Sequence, residues 1–319
     1  MFTVGIDIGG TNTAAGIVEN SENITHRLSV KTDHDYHTFL KNTGALITNL
    51  LSDADLSRGD ITLVGTGCPG ICNQRTGLVE YSNNLGWKNV PLEKDLADVL
   101  GLPVYVDNDA NAAAFGEFTA GVAKGLNTVV VLTLGTGVGS GIIIDKKLYY
   151  GENFGGGELG HMVIEQGGLL CSCGRKGCFE KYASATGLGI ITRNVMEKYP
   201  DSAMHTIAES QGKVNARTAF IAKRQGDKAG TEAVDIFVKY LACGITNVIN
   251  IFQPDAVCIG GGVSGEGEYL LEPLRKVVNS EAYSRDSDFE VKLYACKLGN
   301  EAGIIGAANS AYCRVNHTP

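Results

Sequence analysis

The chain has 319 residues, 44% of them apolar, with a mean hydropathy of +0.01; that suffices for about two packed domains and excludes both a disulfide-held miniprotein and a disordered chain. Lys plus Arg number 27 against 35 Asp plus Glu, a net charge of −8 with no basic block, so the footprint of a nucleic-acid binder is missing. No run of about 18 apolar residues and no charged-then-apolar leader is found, and a soluble cytoplasmic protein is expected.

In chain order, residues 3–8 are a β-branched run that stops at Gly9-Gly10, and a second apolar run follows. Together they read as a hairpin tipped by glycine. Residues 36–52 carry Phe39, Leu40, Leu46, Ile47, Leu50 and Leu51 at helical spacing; this predicts a helix with one apolar face. Residues 61–65 and 104–106 read as strands, and 110–123 as a helix. A second glycine-tipped hairpin opens with residues 128–134 and Gly135. Beyond it lie an irregular cysteine-bearing stretch, helices near 184–199 and 229–252, and a strand at 255–259 that ends on Gly260-Gly261-Gly262. The later helix sets Ala233, Ile236, Phe237, Tyr240, Leu241, Ile245, Val248, Ile249 and Phe252 on one broad face, expected to be core.

A shift of 126 residues lays VGIDIGGTNTAAGIVEN over VVLTLGTGVGSGIIIDK, with Gly9 on Gly135. Two similar halves, each a hairpin followed by strands and helices, predict two α/β domains around a central cleft. The expected boundaries are a smaller N-terminal domain over 1–115, joined by a C-terminal helix at about 300–319, and a larger domain over 116–299.

Asp7-Ile8-Gly9-Gly10-Thr11-Asn12 sets a carboxylate at a strand end, ahead of amides and hydroxyls able to face an anion. A metal-nucleotide site needs that pairing of oxygen ligands for Mg²⁺ with N–H donors for phosphate. Thr136-Gly137 and Gly261-Gly262 offer two further turns of the same kind. Neither a Gly-x-x-x-x-Gly-Lys-Ser/Thr loop nor an N-terminal Gly-x-Gly-x-x-Gly occurs, so two familiar nucleotide folds lose ground. Asn108-Asp109 falls at a strand-to-helix junction. There Asp109 is either a helix N-cap or a general base for an attacking hydroxyl.

The nine cysteines divide. Six are scattered and read as reduced thiols, whereas Cys171, Cys173 and Cys178 fall within eight residues, downstream of His161. His-x9-Cys-x-Cys-x4-Cys supplies three thiolates and an imidazole, the donor set of a closed tetrahedral Zn²⁺ site. A disulfide with a spare thiol is the alternative, and a reducing compartment opposes it.

The sequence of turns, Asp-x-Gly-Gly-Thr, then Gly-Thr-Gly, then Gly-Gly-Gly, resembles the actin-like ATPase superfamily. The implied fold is a duplicated, ribonuclease H-like α/β architecture. CSCGRKGCFE, with GGGELGH upstream, resembles the ROK family of bacterial sugar kinases and repressors, over nearly the whole chain from Asp7 to a helix at 303–311. That resemblance implies an ATP-dependent hexose kinase with Mg²⁺ and a structural Zn²⁺, assembled as a homodimer or homotetramer. It makes Asp109 the catalytic base and Asn108 a sugar contact, with Glu158, His161 and Glu180 as ligands of sugar hydroxyls. Gly70 and Asn83 would close the sugar site, with Asn84 the alternative to Asn83. Asp7, Gly9, Gly10, Thr11, Asn12, Thr136, Gly137, Gly261 and Gly262 would hold the nucleotide. Within the family, Asn84-Leu85-Gly86-Trp87 and Ala183-Ser184-Ala185-Thr186-Gly187 look like the glucokinase branch. Glucose is therefore the expected acceptor at its 6-hydroxyl, ahead of N-acetylmannosamine, N-acetylglucosamine or fructose. A repressor is less expected, because a helix-turn-helix module would have to precede Asp7. A chaperone or cytoskeletal ATPase leaves the cysteine cassette unexplained.

Overall fold

The computed structural model describes residues 2–316. The chain begins with β1 (Phe2–Ile8), β2 (Asn12–Glu19), β3 (Asn23–Lys31) and α1 (Tyr36–Asp53), and continues through β4 (Ile61–Cys68). A small meander follows, of β5 (Ile71–Asn73), β6 (Leu78–Ser82) and β7 (Trp87–Val90). Next come α2 (Leu92–Leu100), β8 (Val104–Asn108), α3 (Asp109–Thr119), β9 (Val129–Leu134), β10 (Val138–Ile144) and β11 (Lys147–Leu148). Six helices succeed one another with one strand among them: α4 (Glu180–Ala183), α5 (Ala185–Lys198), α6 (Ala203–Ser210), α7 (Ala216–Arg224), α8 (Lys228–Phe252), β12 (Ala256–Gly260) and α9 (Glu268–Glu281). The chain ends with β13 (Lys292–Ala295) and α10 (Ala302–Asn316).

Two five-stranded sheets repeat one order, β3-β2-β1-β4-β8 and β11-β10-β9-β12-β13. The internal repeat is thus a repeat of topology, and the fold is the duplicated α/β architecture of the actin-like ATPases. Contacts divide the chain into two units. One holds the residues through Val129, Gly141–Gly157 and the residues from Lys297 on; the other holds Val130–Ser140 and Glu158–Cys296.

In the first unit, β1 pairs antiparallel with β2 and parallel with β4, which pairs parallel with β8. Parallel strands need covering on both faces. Helix α1 covers one face with the six apolar residues read from its periodicity, all of them buried. Helix α10 covers the other through glycines: a Cβ at Gly5 would lie 1.9 Å from the Ile304 carbonyl oxygen, and one at Gly65 1.9 Å from that of Ala307. Helix backbone therefore rests on strand backbone, which no larger residue permits. Helix α3 stops at Thr119, four residues short of the expected end. There the buried Glu117 carboxylate turns back to accept the amides of Val122 (3.0 Å) and Leu298 (2.7 Å), replacing helical bonds with a turn.

In the second unit α8 is the central helix. Its composition and length would allow a membrane span, with a mean hydropathy of 1.4 over an 18-residue window, and 56% of that window is buried. It packs with α4, α5, α7 and α9. Ala233, Phe237, Leu241, Ile245, Val248 and Ile249 are buried as expected, while Ile236, Tyr240 and Phe252 are only partly covered. Val234, Val238 and Ala242 take the rest of the core face.

Candidate functional site

The carboxyl ends of the parallel strands in the first unit bring acidic groups side by side. Asp7 pairs in register with Gly67, and Gly67 with Asp107, so Asp7 and the Asn108-Asp109 step emerge at one sheet end, where open α/β sheets bind ligands. Burial raises the Asp7 carboxyl above its ordinary value, and Arg27 works against that. A Cβ at Gly303, in the first turn of α10, would sit 2.8 Å from the Asp7 carboxylate; the helix N-terminus is thus next to this acid. The turn after Asp7 is closed by Gly9 N–H donating to the Asn12 carbonyl at 2.9 Å. Gly10, Thr11 and Asn12 are exposed, with the turn held from behind by the Thr32 hydroxyl donating to the Gly9 carbonyl at 2.7 Å.

Asn108 is the N-cap of α3, its Oδ1 accepting the Asn111 N–H at 3.0 Å. Asp109 is the first helical residue, its Oδ1 accepting the amide of Ala110 at 2.9 Å. Of the two duties open to Asp109 from sequence, capping falls to its neighbour. Asn108 also donates from Nδ2 to the Gly70 carbonyl at 3.0 Å. Gly70 has φ +112°, and a Cβ there would strike the Tyr81 carbonyl oxygen at 2.1 Å. Asn83 and Asn84 are both exposed in the β6–β7 turn, with Asn83 Oδ1 accepting the Tyr81 hydroxyl at 3.2 Å.

In the second unit, Thr136 and Gly137 form the tip of the β9–β10 hairpin, with Gly135 N–H bonded to the Gly137 carbonyl at 3.0 Å. Gly261 has φ +82° and backs onto Leu134, whose carbonyl oxygen would be 2.4 Å from a Cβ. The glycine loop is thereby seated on the strand that carries the hairpin. Thr136 and Gly262 line a cavity of about 540 Å³ together with apolar Ala185, Val214 and Val263 and the cations Arg193, Lys213 and Arg217. Apolar walls with a few polar groups are the usual form of a small-molecule site. The three cations were not singled out from sequence; they come from α5, the segment before α7 and α7 itself, and no local pattern unites them.

The cassette draws together as its spacing implied. The His161 imidazole and the thiols of Cys171, Cys173 and Cys178 offer ligand atoms that all lie within 4.8 Å of one another. Cys171 Sγ is 3.7 Å from His161 Nδ1, and Cys173 Sγ is 3.6 Å from Cys178 Sγ. Bonds of about 2.3 Å to a tetrahedral zinc put sulfur atoms about 3.8 Å apart, so the donors fit that ion in kind and spacing. All nine cysteines are free thiols.

Glu180, first residue of α4, meets both the cassette and the hairpin tip. Its Oε1 accepts the Cys171 thiol at 2.9 Å, and its Oε2 would be 2.4 Å from a Cβ at Gly137. Burial and then the bond to Glu180 push the Cys171 thiol up to about 12. Glu158 precedes the short turn Leu159–His161, which the Ser140 hydroxyl anchors by accepting Leu159 N–H at 3.1 Å. Glu158 reaches solvent, yet crowding by the protein raises its carboxyl, with His161 lowering it and Glu180 raising it further. Three polar groups named from sequence in this unit, Glu158, His161 and Glu180, are therefore electrostatic neighbours.

The ROK family model matches residues 3–312. A glucokinase of Halalkalibacterium halodurans is 35% identical over 312 residues, 95% of this chain and 92% of that protein. A xylose repressor of Caldicellulosiruptor bescii is 33% identical over 279 residues, 87% of this chain and 69% of the repressor. Among solved structures, a ROK family glucokinase from Streptomyces griseus in complex with glucose and AMPPNP superposes with a TM-score of 0.84 at 32% identity, over 97% of this chain and 99% of that one.

Proposed function

Because the chain belongs to the ROK family, we propose that it is a cytoplasmic, ATP-dependent hexose kinase that moves the γ-phosphoryl group to the 6-hydroxyl of glucose. The observation that carries this reading is the placement of Asp109: it opens α3 just past the carboxyl end of β8, two residues beyond Asp107, which stands in register with Asp7 through Gly67, while Asn108 supplies the helix cap. Phosphoryl transfer asks the protein chiefly for positioning and charge neutralisation, with one carboxylate to take the acceptor's proton. Asp109 takes the proton of the 6-hydroxyl as that oxygen bonds to the γ-phosphorus. The bond from phosphorus to the β–γ bridging oxygen breaks, and ADP leaves with the electron pair.

Asp7 is assigned to the water shell of the Mg²⁺ that accompanies ATP, and the turns Gly9–Asn12, Thr136-Gly137 and Gly261-Gly262 to the nucleotide and its phosphates. The cavity of the second unit suits an adenosine: apolar walls for the base, and Arg193, Lys213 and Arg217 for anionic and ribose groups. Asn108, Gly70 and Asn83 are assigned to the sugar, as are Glu158, His161 and Glu180. Zinc, when bound by His161, Cys171, Cys173 and Cys178, supplies a cross-link that orders the loop. His161 turns Nδ1 toward Cys171, and holding that nitrogen leaves Nε2 for a sugar hydroxyl. We further expect a homodimer or homotetramer.

The test is a coupled ADP-release assay with Mg·ATP across glucose, mannose, fructose, N-acetylmannosamine and N-acetylglucosamine. Glucose should give the highest kcat/KM. A higher value for an N-acetylated sugar or fructose would move the assignment to that hexose. Sugar binding without turnover on any of them would favour the repressor reading, which the xylose repressor among the relatives keeps in view.

A further inference from the structure

Asp107 is a carboxylate that the reaction above does not use, 4% exposed at the end of β8. Donors from separated stretches of one unit converge on it. Its Oδ1 accepts the N–H of Asn108 at 2.7 Å. Its Oδ2 accepts the Ser310 hydroxyl of α10 at 2.6 Å and the Tyr150 hydroxyl at 3.0 Å, and the side chain of Gln74 also bonds it. The Tyr150 phenol is pushed well above its ordinary value by burial and by Asp107, so it remains a donor.

Burying a carboxylate is a costly way to join segments, since apolar side chains of the same volume hold a core together equally well. What the carboxylate adds is direction. Its bond to Asn108 N–H fixes the peptide that leads into the Asn108-Asp109 step. Asn108 passes the constraint on, capping α3 through Oδ1 and holding the Gly70 carbonyl through Nδ2. One network thus spans α10, Tyr150, the start of α3 and the Gly70 loop.

We propose that Asp107, with Tyr150 and Ser310, forms a positioning group for phosphoryl transfer, which sets the direction of the Asp109 carboxylate and the seat of the Gly70 loop. The assignment rests on the hexose-kinase reading with Asp109 as the base. Small misplacements of a reacting group are expensive: an error near 1 Å costs up to about a hundredfold. Losing one of several donors should cost less.

Tyr150→Phe and Ser310→Ala each remove one donor without adding bulk. Each should lower kcat for glucose phosphorylation by about 3- to 10-fold, with KM for ATP within about two-fold of wild type, and their combination should be non-additive because they share one acceptor. The decisive readout is the background. In Asp109→Asn protein, which lacks the base, adding Tyr150→Phe should not lower the residual kcat further. A merely structural role lowers the melting temperature and the active fraction while leaving kcat per folded molecule and both KM values unchanged, and that result would overturn the proposal. So would an equal loss from Tyr150→Phe in both backgrounds. Wild-type protein inactive on every hexose would sink the kinase reading and this assignment with it, whereas active wild type with unaltered Tyr150→Phe would sink this assignment alone.

Discussion

Replacing Asp109 by Asn separates two jobs that an acid at the start of a helix can do. Helix α3 takes its N-cap from Asn108, at φ −70° and ψ 144°, with Asn111 N–H bonded to its side chain. That cap survives the substitution. The helix loses the attraction between a negative charge and its first turn, about 0.3–1 kcal/mol. In a chain of this size about 1 kcal/mol shifts Tm by roughly 1–2 °C. Catalysis loses far more: removing a general base lowers kcat by about 10²–10⁴-fold, equal to about 2.7–5.4 kcal/mol at 1.36 kcal/mol per decade. The two effects differ enough to be resolved in one set of measurements. Turnover at saturating glucose and ATP, a thermal melt and calorimetric glucose binding should show the large loss in kcat, a small change in Tm, and glucose affinity within a few-fold of wild type. A kcat within three-fold of wild type would refute the base assignment. A fall in Tm beyond about 10 °C with loss of glucose binding would show instead that the Asp109 carboxylate holds the fold. Asn108→Ala offers the converse, costing about 1 kcal/mol for the cap and releasing the Gly70 carbonyl.

Three further outcomes are expected. Purified protein should carry about one zinc per chain by elemental analysis, and Cys173→Ser should lose both the metal and glucose affinity, because a closed site couples binding to local folding; metal-free protein with full activity would remove the claim. Asp227 caps α8, accepting Gly230 N–H at 2.7 Å, Ala203 N–H at 2.9 Å and the Ser202 hydroxyl at 3.0 Å. Burial alone would raise its carboxyl, but these bonds outweigh it and hold it below the ordinary value. The folded value lies below the unfolded one near 3.9, so this stabilisation is present above pH ~4 and disappears as pH falls through the folded value. Asp227→Ala should therefore cost about 1–2 kcal/mol at pH 7, a deficit that shrinks in acid denaturation series and counts against the cap if it is constant with pH. Gly65→Ala should destabilise by about 1–3 kcal/mol or more, since its Cβ would meet the Ala307 carbonyl. Gly265→Ala, with nothing within 4 Å, is the control, and equal denaturation midpoints for the two would contradict the backbone-on-backbone packing of α10.

The sequence by itself determined the features carried by neighbours in the chain. β-branched runs ending in glycine marked β1, β9 and β12, and periodicity marked the buried face of α1. The cassette was legible because three of its four ligands lie within eight residues, and the loop between them has little room to do anything but close. The short strands of the β5–β7 meander, three to five residues each, carry too little pattern to register. Tertiary structure alone decided the rest. Asn and Asp are equally good caps, so whether Asn108 or Asp109 caps α3 depends on which residue keeps extended backbone angles at the end of β8. Arg193, Lys213 and Arg217 share a cavity only because α5 and α7 pack together. Asp107 and Ser310 stand 203 residues apart, and their bond exists only because glycines in β1 and β4 let α10 settle onto the sheet. Local physics writes turns, helix faces and ligand spacings into a chain; contacts between distant segments depend on packing geometry, which no short window of sequence contains.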